Sequence, residues 1–120
     1  MKKLTESEER IMQILWKIKR GFVRDVIEYY ADPKPAYTTV SSIIRILEKK
    51  GFIGHTAYGP THEYYPLVEK DEYKRRYLRA IVKDYFDNSY KQLVSFFAYE
   101  KKLKKKDLLD IMRILNEDHE

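Results

Sequence analysis

Apolar residues recur at helical spacing along most of the chain, and the breaks between them predict six helices and one hairpin. Thr5 and Glu8 give the capping-box pattern at the start of the first helix. Ile11, Ile14, Leu15 and Ile18 follow at the spacing of one helix face, with Trp16 beside them, and Gly21 is expected to end the helix. A short extended piece at Phe22 and Val23 leads into a brief second helix carrying Val26, Ile27 and Tyr30. The segment ADPKP, residues 31–35, reads as a turn, because each proline disfavours helix in the residue before it. The third helix starts at Tyr37 or Thr38 and carries Val40, Ile43, Ile44 and Leu47 as its apolar stripe. Gly51, just after Lys49 and Lys50, suits the left-handed residue that closes a helix.

Two short extended runs, Phe52–Ala57 and His62–Val68, flank YGPT and predict a β-hairpin, with Pro66 at a strand end or edge. A long helical pattern over Glu69–Asp87 carries Tyr73, Tyr77, Leu78, Ile81, Val82, Tyr85 and Phe86. Asn88 or Ser89 can cap the next helix, whose apolar face is Tyr90, Leu93, Val94, Phe97 and Ala98. The basic run EKKLKKKD reads as a solvated connector, with added phosphate contact as the alternative. A final helix over Lys106–Leu115 carries Leu108, Leu109, Ile111, Met112 and Leu115. The break near 67–70 divides the chain into residues 1–68 and 69–120.

Three helices followed by a hairpin is the element order of a winged helix-turn-helix. The third helix is apolar on one side and slim and polar on the other, and the major groove admits one such helix. Its polar residues are Thr38, Thr39, Ser41, Ser42 and Arg45. Hydroxyls can bond phosphates or base edges, and an arginine can pair with guanine or phosphate. Hydroxyl residues are poor helix formers, so their clustering points away from helix stability as its purpose. Lys49 and Lys50 are expected to face phosphates from the helix end, and His55, Tyr58 and His62 to lie along the DNA from the wing.

Composition narrows the chemistry. Lys and Arg number 24 against 19 Asp and Glu, a net charge of +5 that suits a polyanionic partner or plain solubility. The chain has no cysteine, which removes disulfides, thiolate catalysis and cysteine metal sites. The N-terminal MKKLTESEER has no apolar core of a secretory signal, and no apolar run nears the ~20 residues of a membrane span, so a cytoplasmic protein without membrane insertion is expected. His55, His62 and Glu63 make a zinc site conceivable, although a wing histidine more often meets phosphate or solvent. No nucleotide-binding glycine motif and no nucleophile–base pairing stand out, so neither an enzyme nor a cofactor is expected.

The segments LTESEERIMQILWK, TTVSSIIRILEKKGFI, HEYYPLV and NSYKQLVSFFAYEKKLKKKDLLDIMRIL resemble the penicillinase and methicillin-resistance repressor family (the BlaI/MecI/CopY group) over roughly residues 4 to 116. The resemblance implies a mainly α protein with a small β-hairpin: a winged-helix N-terminal domain and a three-helix C-terminal dimerisation domain. It implies a homodimer that represses transcription from a palindromic double-stranded operator. Base reading then falls on Thr38, Thr39, Ser41 and Ser42, with Arg45 beside them. The best-known members carry basic residues where this chain has Thr38 and Ser41, so a different operator is expected. In resistance members induction proceeds by cleavage in the penultimate helix, before the Phe of an Asn-Phe pair, so the resemblance implies a regulatory protease or a membrane sensor pathway as a partner. The matching pair here is Phe96-Phe97, without the Asn. The copper-responsive branch uses cysteines that this chain lacks.

Three short helices cannot readily bury all their apolar faces alone, and an isologous dimer solves this. The expected dimer residues are Tyr73, Tyr77, Ile81, Tyr85, Leu93, Phe97, Leu108, Ile111, Met112 and Leu115. Two other functions fit the pattern: a winged-helix protein-interaction module without DNA, and a ligand-sensing regulator with a pocket among the C-terminal tyrosines.

Overall fold

The computed structural model describes residues 4–100 and 104–118. Lys101, Lys102 and Leu103 of the basic run lie outside the described residues, as do the side chains of Leu108, Met112 and Leu115. The element order is α1 (Glu6–Ile18), α2 (Val23–Ile27), α3 (Tyr37–Lys49), β1 (Ile53–Tyr58), β2 (Thr61–Pro66), α4 (Lys70–Tyr85), α5 (Tyr90–Tyr99) and α6 (Lys105–Asp118). The chain forms two compact units, Met1–Lys74 and Arg75–Glu120, so the first turn of α4 belongs with the first unit.

In the first unit, the predicted capping box closes the start of α1. The Thr5 amide donates to Glu8 Oε1 at 2.8 Å, and the Glu8 amide donates to Thr5 Oγ1 at 3.2 Å. Ile11, Met12 and Leu15 then face inward, against Val26 of α2 and Val40, Ile44 and Leu47 of α3. Phe52, Ile53 and Tyr64 bring the hairpin onto the same core. At roughly 1.5–3 kcal/mol for each large apolar side chain buried, this shared core is the main force that sets α3 on its platform.

Gly21 has a different role from the expected helix stop. Helix α1 ends earlier, with Lys19 at φ +73° and its amide donating to Leu15 O at 2.7 Å. Gly21 instead pairs with Tyr64 of β2, Gly21 N–H to Tyr64 O at 3.0 Å and Tyr64 N–H to Gly21 O at 2.8 Å. A Cβ at Gly21 would sit 2.7 Å from Ile18 Cδ1 and 3.2 Å from Asp25 Cβ, so a larger residue there would have to turn the Ile18 side chain aside. The hairpin pairs Ile53 with Pro66 through Tyr58 with Thr61. Its two-residue loop has Gly59 at φ +61°. Pro60 is held near φ of about −65° by its ring, so of the primed hairpin turns only type II′ fits.

Glu8 is the one charged side chain buried in the described core, at 4% exposure. Lys50, just past α3, donates to both of its carboxylate oxygens at 2.9 and 2.8 Å. Burial pushes the Glu8 carboxyl up, but the Lys50 ammonium and the Thr5 amide and hydroxyl outweigh it and hold the group below its ordinary value.

Tyr73, expected among the dimer residues, packs within this unit. It is buried, its ring centroid 5.5 Å from Trp16 and 6.1 Å from Phe52, and its hydroxyl donates to Glu9 Oε2 at 3.3 Å. The Trp16 indole N–H donates to Val68 O at 2.9 Å and fixes the chain leaving the hairpin. The heptad-like spacing of tyrosines conceals this split, because the first of them turns onto the winged unit.

In the second unit Ser89 caps α5, its hydroxyl accepting from the Gln92 amide at 3.1 Å, after Asp87 and Asn88 at positive φ. Val82, Leu93 and Val94 are buried, and Phe86 meets Phe96 edge-on at 5.8 Å. Tyr77, Tyr85, Phe96, Phe97, Tyr99 and Leu109 are exposed. Asp107 receives the Lys104 amide at 3.4 Å, which gives α6 an acidic first turn among the lysines. No described helix is long and apolar enough to cross a membrane.

Because the folded Glu8 carboxyl titrates below the unfolded value of 4.5, its stabilisation is present above that pH and is lost as pH falls through the lower folded value. The melting temperature should therefore fall as the pH drops below about 5, and Glu8→Gln should flatten that dependence. At neutral pH, Lys50→Ala leaves Glu8 without its partner and should cost about 3 kcal/mol, the lower end for a broken buried pair, since Lys50 is partly solvated. Tyr73→Ala should cost roughly 3 kcal/mol in the same melts, while sedimentation shows the association state unchanged.

Candidate nucleic-acid interface

Helix α3 follows Pro35 and is capped at Ala36 without a side-chain acceptor. Its free amides and positive dipole end are therefore open to an anion. With Val40, Ile44 and Leu47 buried, a turn of 100° per residue puts Thr38, Ser42, Arg45 and Lys49 roughly opposite the core. All four are exposed. Thr39 and Ser41 lie about a quarter turn to either side. Thr39 looks over Pro35 and Tyr30, and Ser41 looks toward the wing. The hydroxyl cluster thus splits into a central face and two flanks. Ile46 is exposed at 48% on the Thr39 side of this face, an apolar position that the sequence reading omitted.

The basic residues at the helix end diverge. Lys49 points outward, whereas Lys50 turns in to Glu8 and is not among the residues available to phosphates. The i, i+1 relation on a helix separates their directions, and the sequence alone does not say which one the buried Glu8 takes.

The wing is fastened to the helices on both faces. On one face, His55 Nδ1 is bonded to Glu48 of α3, and the His55 ring stacks on His62 with centroids 4.1 Å apart and planes 4° from parallel. Tyr64 meets both rings edge-on at 5.8 and 6.1 Å. Burial pushes the Tyr64 phenol up, and the nearby Glu48 carboxylate adds to this against the opposing Arg45. On the other face, Arg20 donates to Glu63 Oε1 and Thr56 Oγ1, both at 3.0 Å, and covers the Tyr65 ring at 4.7 Å. Strand alternation therefore parts Glu63 from His62, and the conceivable trio of His55, His62 and Glu63 is not assembled. Among the described residues no group of three such side chains could hold a metal. Tyr58, 55% exposed, rests against Phe22 at 6.0 Å near the wing tip. The sequence places His55, Tyr58 and His62 on the wing, but their mutual contacts need the strand register.

A groove of about 630 Å³ runs between α2, α3 and the wing. Ser41, Arg45 and His62 line it, together with Arg24, Tyr37 and Thr61, which the sequence reading left out. Arg24 sits on a helix of only five residues, too short to show which side faces out. Phe96 and Phe97, the pair matched to the family's cleavage position, are both exposed on α5.

Comparison with known proteins fits this arrangement. The methicillin resistance regulatory protein MecI of Staphylococcus aureus (strain N315) is 25% identical over 114 residues, covering 94% of this chain and 93% of its own. MecI of Mammaliicoccus sciuri is 26% identical over 116 residues, with the same coverage. The penicillinase repressor family matches residues 4–117. A winged unit with an outward hydroxyl-rich helix, matched from end to end in this way, makes the chain a member of the penicillinase repressor family of transcriptional regulators.

Proposed function

We propose that the protein is a sequence-specific transcriptional repressor that binds a palindromic DNA operator as a homodimer, using its winged unit for DNA and its C-terminal unit for pairing. The observation that carries this reading is the outward face of α3. Thr38, Ser42, Arg45 and Lys49 stand together opposite the core, on a helix slim enough for the major groove and flanked by a fastened wing. Ser42 and Thr38 offer hydroxyls and methyls to base edges, and Arg45 offers a bidentate donor to guanine.

Pairing is supported by the second unit. Its exposed Tyr77, Tyr85, Phe97 and Leu109 form a large apolar complement for so small a unit, and a second copy is the simplest cover. Leu93 packs inside the unit, so it would support the face from beneath. The two-fold axis would set two copies of α3 about one helical turn of DNA, ~34–36 Å, or a multiple of it, apart.

Selection from random duplexes should yield an inverted repeat, and Ser42→Glu with Arg45→Glu should abolish its binding while the association state persists. Retention of binding by that variant contradicts the assignment of α3. Separately, Tyr85→Glu with Phe97→Glu should shift sedimentation from dimer to monomer and lower affinity for the full repeat more than tenfold, with affinity for a single half-site preserved.

A further inference from the structure

We propose that the groove between α2, α3 and the wing seats the sugar–phosphate backbone of the bound duplex, with Arg24 and Tyr37 as its phosphate donors. This inference rests on the DNA-binding reading and adds to it a second, sequence-blind part of the interface. A helix lying in the major groove points one face at base edges, and its flanks meet the two backbones that wall the groove. On α3 the central face is Thr38, Ser42, Arg45 and Lys49. Ser41 lies about a quarter turn and Tyr37 about a third of a turn away on the wing side, where the backbone must pass.

The groove is already formed. The Gly21–Tyr64 bridge ties the connector before α2 to β2, and the Glu48–His55 bond ties α3 to β1. Its walls therefore need little ordering when an anion enters, which keeps the cost of binding low. Two carboxylates border it, and both have partners: Asp25 Oδ2 accepts the Phe22 amide at 2.9 Å, and Glu48 holds His55. Arg24 and Arg45 form no ion pair among the described residues. The Arg24 guanidinium with the hydroxyls of Tyr37 and Ser41 supplies donors matched to phosphate oxygens, while the Thr61 hydroxyl is committed to Tyr58 O at 2.9 Å. The alternatives are a base edge or a small ligand. Arg24 stands on α2 and not on the helix that faces the bases, which favours the backbone over a base edge, and a small ligand would give no salt slope that Arg24 controls.

The test uses the full chain and the duplex recovered by selection, with a scrambled duplex beside it, titrated by fluorescence anisotropy across a potassium chloride series. Arg24→Gln should weaken both complexes by the same factor and reduce the salt slope by about 0.9, the loss of one phosphate contact. Arg24→Lys should keep the slope. Tyr37→Phe should weaken both duplexes equally at an unchanged slope. An unaltered slope and affinity in Arg24→Gln overturns the proposal, and so does a changed ratio between selected and scrambled DNA, which would make Arg24 a base reader. Arg24 and Tyr37 are exposed, and matching thermal melts exclude misfolding. A wild-type chain with no salt-dependent complex overturns the DNA reading itself and this inference with it, an outcome visible before any substitution is made.

Discussion

The ion pair between Glu8 and Lys50 is the constraint on which the placement of α3 depends. Glu8 stands in the first turn of α1 and Lys50 just past the last turn of α3. A carboxylate so deeply buried is tolerable only with its partner and hydrogen bonds in place. Glu8 has both: the Lys50 ammonium, and the reciprocal bond with the Thr5 amide. One side chain therefore starts α1 and locks the far end of α3 onto it. The apolar core supplies most of the energy, but an apolar interface can slide, and this pair fixes the register in which Val40, Ile44 and Leu47 dock.

That lock decides what the rest of α3 can do. With the apolar stripe down, Thr38, Ser42, Arg45 and Lys49 are left facing outward, and Lys50 is removed from their number. The wing then completes the surface. Its two faces are fastened by different chemistry, Glu48 and the stacked histidines on one side and Arg20 on the other, so the hairpin is held without a large core of its own. An isolated two-stranded hairpin is only marginally stable in water, which explains why these ties are needed.

The C-terminal unit is organised on the opposite principle. Of its described side chains only Val82, Leu93 and Val94 are buried, while several aromatic rings face outward. Such a unit leaves much of its apolar surface uncovered. Tyr73 marks where the two principles meet: it continues the tyrosine spacing of α4 yet packs on Trp16 and Phe52 of the winged unit.

The order and type of the elements were legible in the sequence, because helical periodicity, the Thr5–Glu8 box and the Gly51 and Gly59–Pro60 signals act over a few residues. The family resemblance was legible for the same reason, since it rests on contiguous segments. The roles of Gly21, Lys50, Tyr73 and Arg24 were not legible. Each depends on a partner far away in the chain: Tyr64 for Gly21, Glu8 for Lys50, Trp16 and Phe52 for Tyr73, and the wall of a groove for Arg24. Local spacing determined which residues could form α3. Long-range packing decided which of them face outward, because only a docked helix has an inside.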